Sequence, residues 1–180
     1  MKFSEYFSVL NESFKTLSTP EEKEIIVDDI YDMIEKAYAP IGGSTFKSPQ
    51  DLIDSSGMWK IDRKDGKITA IAIYKNSPIG RKIVAIATDN SPRSKKKLIE
   101  ILTADLMIRD GYVEVSGPLE KFLFRNIPGL SDFVVGNKEE IERILGKGKT
   151  VEMSEDGLHY TRHIGGLGKP HEKIMLKYND

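Results

Sequence analysis

The chain contains no cysteine, which excludes disulfides, thiolate metal ligands and a cysteine nucleophile. Its N-terminus has no apolar run of signal-peptide length, and nowhere does it approach the roughly 18–20 apolar residues of a membrane span. A soluble, cytoplasmic protein is therefore expected, with no membrane partner. An excess of positive charge is also missing: the formal net charge is −1, so a nucleic-acid partner is not expected either. There is no internal repeat or low-complexity tract, and no glycine lies between Gly80 and Gly111.

What is present is an ordinary globular composition, 39% hydrophobic and 31% charged over 180 residues, enough for one domain with a full core. The charge is unevenly placed. Residues 1–60 hold six Lys/Arg and eleven Asp/Glu, so the remainder carries the positive excess. Binding of anions is expected in that second part.

The strongest local signal is the run from Lys82 to Glu114. An apolar strand breaks into Ser91-Pro92-Arg93-Ser94-Lys95-Lys96-Lys97, a long helix follows, and then a second strand. The first N–H groups of a helix lack internal partners, and the helix dipole adds positive potential there. Four basic side chains within five residues reinforce it, so a phosphate-bearing ligand is expected. The plain alternative is a solvated basic helix start.

The spacing of Phe3, Tyr6, Phe7, Leu10, Phe14 and Leu17 predicts an amphipathic helix over residues 1–18. Its apolar face either packs on the sheet or docks a partner protein. Thr19-Pro20-Glu21-Glu22 then opens a second helix whose stripe is Ile26, Ile30, Met33, Ile34 and Ala37. Ser48-Pro49-Gln50-Asp51 caps a short third. Three strands are predicted next, over Met58 to Arg63, Lys67 to Lys75 and Arg81 to Thr88, with Lys64-Asp65-Gly66 as a hairpin turn. A helix over 92–109, a strand over 112–116 and a helix from Gly117 complete the centre. Beyond them a strand is predicted over Phe133 to Val135, a short helix over Lys138 to Leu145, and from about residue 150 a hairpin around Gly165-Gly166-Leu167-Gly168. The class is α/β, a mixed sheet flanked by helices, with a helical N-terminal extension and a C-terminal β-hairpin.

This order of elements resembles the GNAT superfamily of acyl-CoA-dependent N-acyltransferases. There the fourth strand enters a pyrophosphate-binding loop at the start of the main helix, here 82–88, 89–96 and 97–109. The resemblance spans roughly residues 20 to 135, within a GNAT-like domain placed at 19–180. Tyr38-Ala39-Pro40-Ile41-Gly42-Gly43, Glu114-Val115-Ser116-Gly117-Pro118-Leu119-Glu120 and Asp156-Gly157-Leu158-His159-Tyr160-Thr161-Arg162 also resemble GNAT-like proteins encoded by bacteriophages, which would place the chain in a host cytoplasm.

The resemblance implies acetyl-CoA as cofactor, its diphosphate held by Arg93, Ser94, Lys95 and Lys96, across a splay between the fourth and fifth strands. It implies an amine acceptor beside Gly42, Gly43, His159 and Arg162, a base supplied by Glu114 or Glu120, and Tyr160 as general acid. A backbone N–H of the fourth strand would hold the oxyanion. The chain departs from the family where its loop has no glycine and where the helix after the fifth strand offers Phe122 and Phe124 instead of tyrosine. Those departures suit a second reading: a scaffold without chemistry that binds and inhibits a host protein, or a virion component. Plain alternatives stand beside each residue. Glu114 and Glu120 are equally surface or structural carboxylates, Gly42-Gly43 a helix end, and His159, Tyr160 and Arg162 ordinary strand residues. His159 and His163 share a strand face, but no third metal ligand is evident, so no metal site is assigned.

Overall fold

The computed structural model describes residues 14–77, 80–107, 112–162 and 172–177. The chain is α/β, with antiparallel sheets flanked by helices, and it forms two compact units. One spans Met1–Asn76 and Ile83–Asp105, the other Ser77–Lys82 and Leu106–Asp180.

β1 (Lys15–Leu17), β2 (Trp59–Lys64), β3 (Lys67–Ser77) and β4 (Gly80–Thr88) make a four-stranded sheet in that order, all of it in the first unit except the Ser77–Lys82 stretch, which belongs to the second. The helix predicted over residues 1–18 lies largely outside the described residues. Where it can be compared, Lys15–Leu17 is strand: Leu17 pairs with Trp59, and both side chains are fully buried. Helical spacing of Phe14 and Leu17 yields there to sheet pairing and burial, worth roughly 1.5–3 kcal/mol for a side chain of this size.

Thr19 closes a capping box on α1 (Pro20–Glu24). Its hydroxyl accepts from Glu22 N–H at 3.3 Å, and the Glu22 carboxylate accepts from Thr19 N–H at 3.2 Å. Lys23 of this helix is buried, donates to the Gly57 carbonyl and stands 5.3 Å over the Trp59 ring. Burial lowers its pKa. The helix α2 (Val27–Tyr38) buries Val27, Ile30 and Ile34, a short 3-10 turn follows over Ala39–Ile41, and Ser48 caps α3 (Pro49–Ser55).

Asp65 and Gly66 both take positive φ, 51° and 78°, as a two-residue hairpin turn demands. Residues 70–74 of β3 are buried on both faces, as the apolar run predicts. Ile30, Ile34, Leu52, Trp59, Ile61 and Ile71 anchor the core of this unit. From β4 the chain enters α4 (Pro92–Met107), whose Leu98, Ile101 and Leu102 are buried.

The second unit holds β5 (Tyr112–Ser116), α5 (Gly117–Asn126), α6 (Lys138–Leu145), β6 (Val151–Met153), β7 (Tyr160–Arg162) and β8 (Lys173–Lys177). Its sheet order is β5-β8-β7-β6, every recorded pair antiparallel. Gly117 opens α5 with φ 61°. The strand predicted over Phe133 to Val135 is instead a 3-10 turn, Leu130–Phe133, and a lone bridge from Val134 to Leu176. Gly129, at φ 73°, accepts from Asp132 N–H at 3.0 Å and so curls this segment before it can extend. The described residues of the tail hold three strands, with a first turn at 154–159. The glycine-rich turn predicted at 165–168 lies outside the described residues, as do His163 and His171. No helix among the described residues is long and apolar enough to cross a membrane.

Candidate functional site

The loop between β4 and α4 is closed by its own side chains. Asp89 accepts from Ser91 N–H at 2.9 Å and from the Ser94 hydroxyl. Ser91 caps the helix, its hydroxyl accepting from Ser94 N–H at 3.2 Å. Asn90 takes φ 67°, a left-handed position that glycine adopts most easily. Ser94 is fully buried. The Asp89 carboxyl is held below its usual range, first by the Ser94 hydroxyl and then by the Ser91 donors, with burial opposing. The positive end of α4 thus already faces one internal carboxylate.

Arg93 points away from that role. Its Nη1 lies 2.8 Å from Asp62 Oδ2 and its Nη2 3.4 Å from Oδ1, while Thr69 donates to Asp62 at 2.6 Å. Asp62 is buried where the β2–β3 register shifts, so Arg93 neutralises it and ties the first turn of α4 to the sheet. Lys95 and Lys96 are exposed, and neither has a carboxylate partner among the described residues. Of the four residues predicted for the diphosphate, these two remain open to a ligand.

Gly42 and Gly43 take φ 100° and 92° with open space around them, and their N–H groups cap the preceding helix through Ala39 and Tyr38 carbonyls at 3.2 and 3.0 Å. The Tyr38 hydroxyl accepts from Ile86 N–H on β4 at 3.2 Å. Burial raises the Tyr38 pKa against that bond.

The second unit gathers the remaining predicted residues into two sets. In one, buried Glu114 accepts from the Tyr160 hydroxyl at 2.8 Å and pairs with Lys173 at 3.0 Å, Lys82 at 3.6 Å and Arg162. Burial alone would raise the Glu114 pKa, as expected of a base; Lys173, Tyr160 and Arg162 outweigh it and lower the value. Burial and the adjacent Glu114 charge push the Tyr160 phenol up, so it stays protonated as a donor. In the other set, His159 bridges Glu120, at 2.6 Å from Nε2, and Asp156 through Nδ1. Burial opposes the imidazolium, but the two carboxylates prevail and raise its pKa. Asp156 is lowered to about 2, chiefly by the His159 and Leu158 N–H groups.

No family model matches the chain, and no curated protein matches it. Solved structures do resemble it. A protein described as a GNAT-family acetyltransferase from Bacteroides thetaiotaomicron covers 92% of this chain with 88% of its own, at 12% identity and a TM-score of 0.49. The aminoglycoside 6'-N-acetyltransferase of Enterococcus faecium covers 92% with 99% of its own, at 12% identity and 0.44. A GNAT-family acetyltransferase from Bacillus cereus covers 92% with 99% of its own, at 12% identity and 0.39.

Several participants were not legible as such in the sequence. Asp89 lies just before the cationic run, yet only the folded turn shows its carboxylate capping the serines. Tyr38 belongs to the Tyr38-Ala39-Pro40 segment, but its contact with Ile86 joins distant parts of the chain. Lys82 and Lys173 carried no local signal; β5–β8 pairing brings Lys173 to Glu114, and Lys82 reaches it by a side-chain ion pair without strand pairing.

Proposed function

We propose that the chain is a GNAT-like acyl-CoA-dependent N-acyltransferase acting on an amine acceptor. The observation that carries it is the antiparallel meander β2-β3-β4 running through a serine turn into the sixteen-residue helix α4, with Lys95 and Lys96 unpaired at its start among the described residues. Lys95 and Lys96 hold the CoA diphosphate as point charges, and helix N–H donors add to the field. The Ile86 N–H, now held by Tyr38, polarises the thioester carbonyl once the phenol gives way. The acceptor enters beside Gly42-Gly43. The lowered pKa of Glu114 makes it a poor base near neutral pH.

Calorimetric titration of acetyl-CoA and CoA tests this. Micromolar binding is expected, weakened about tenfold or more in a Lys95→Ala, Lys96→Ala variant, which corresponds to some 1.4 kcal/mol. Arg93 is left intact because it balances Asp62. No binding at millimolar ligand would end this reading. The second reading, a GNAT-like scaffold that binds a protein without acyl transfer, is favoured by one feature: the Asp89 carboxylate that already closes the α4 turn.

A further inference from the structure

Three cations converge on one buried carboxylate in the second unit. Lys82 Nζ and Lys173 Nζ lie 3.6 and 3.0 Å from Glu114 Oε1, while Arg162 Nη2 meets Oε2. The register explains how Arg162 and Lys173 meet Glu114. Lys173 pairs with Ser116 on one side and Tyr160 on the other, and side chains alternate along strands, so Glu114, Tyr160, Arg162 and Lys173 share a sheet face.

Among the described residues one negative charge faces three positive ones, and the cluster bears two marks of the excess. Arg162 Nε is buried with no hydrogen-bond partner among the described residues. Lys82 is disfavoured as an ammonium, first by burial and next by Lys173, with Arg162 adding and Glu114 opposing. Like charges gathered around one carboxylate repel each other, and a buried donor without an acceptor forgoes the bonds it had in water. A second anion would relieve both.

We propose that Lys82, Arg162 and Lys173 form an oxyanion site for the carboxylate or phosphate group of a small ligand, with Glu114 holding the three cations together. A guanidinium fork and two ammonium groups suit either anion. Lys82, with 41% of its side chain exposed, is the member a ligand reaches first, whereas Lys173 at 13% is fixed deeper. This inference rests on the second unit alone and not on the proposed acyl transfer.

The test titrates the whole chain with inorganic phosphate and, separately, with succinate, following Lys and Arg side-chain NMR signals. Saturable binding of at least one is expected, with Lys82→Met weakening it about tenfold, some 1.4 kcal/mol. Arg162→Lys, which keeps the charge but loses the fork, should weaken it as well. Phosphate binding alone points to a phosphorylated ligand, succinate binding alone to a carboxylate. Circular dichroism checks that each variant is folded. Absence of saturable binding by either anion overturns the proposal. So does binding that Lys82→Met and Arg162→Lys leave unchanged, including binding lost only in the Lys95→Ala, Lys96→Ala variant. Acetyl-CoA titrated into the same proteins reports separately on acyl transfer, so one idea can fail without the other.

Discussion

Asp62 sits where the β2–β3 register shifts, with its carboxylate shielded from water, and this decides what Arg93 does. A buried carboxylate without a partner is costly, so the guanidinium is spent on Asp62. The side chain of Arg93 is 40% exposed, which tempers the energy. Arg93→Ala should destabilise the protein by about 2 kcal/mol, below the usual range for fully buried pairs. Asp62→Asn combined with Arg93→Ala should cost less than the two single changes added, because the neutral amide no longer needs the cation. Urea denaturation of the three variants checks this; strict additivity would mean that the pair does not interact. The basic character of residues 93–97 was legible in sequence, but the division of labour among them was not. Only long-range pairing shows that Arg93 belongs to β2 and β3 while Lys95 and Lys96 stay open.

Elements that declare themselves through nearby residues were readable in advance. Thr19-Pro20 and Ser48-Pro49 start helices, Asp65-Gly66 turns the hairpin, and Lys138 to Leu145 is a helix capped by Asn137, whose side chain accepts from Glu140 N–H at 3.2 Å. Each of these signals acts within a few residues. What could not be read depends on distant partners: β1 exists because β2 receives it, and β7 lies between β6 and β8 in a tail predicted as a single hairpin. Gly136 belongs to this distant class. A Cβ there would meet the Gly157 carbonyl oxygen at 2.9 Å, backbone against backbone. Gly136→Ala must therefore move the segment before α6 or the turn between β6 and β7. A loss of roughly 1–3 kcal/mol is expected, in line with overpacked sites. A thermal melt matching the unaltered protein would show that the contact is easily relaxed.

For the whole molecule, the shifted groups combine into a stability profile with pH. Four carboxylates, Glu22, Asp89, Glu114 and Asp156, titrate below their ordinary values when folded. Each contributes stability that is present above its unfolded pKa and lost as pH falls through the folded value. Their reference values of 3.8 and 4.5, and Asp156 at about 2, place the acid decline between about pH 4.5 and 2. His159 runs the other way. Its folded pKa lies above the reference 6.5, so its contribution is complete below that pH and fades as pH rises through the folded value. The bracket of Glu120 and Asp156 is then held by a neutral ring, which can donate only one hydrogen bond. Stability set by these groups should peak between about pH 4.5 and 6.5 and decline on both sides. The His159→Gln variant tests the bridge. Its melting temperature should lie below that of the unaltered protein at pH 5.5, and the gap should narrow as pH rises towards 8; the acid limb should shrink as well, because the His159 ring helps hold Asp156 low. Thermal melts across that range decide it: a constant gap between the two proteins from pH 5.5 to 8 would mean that the imidazolium bridge contributes nothing to the fold.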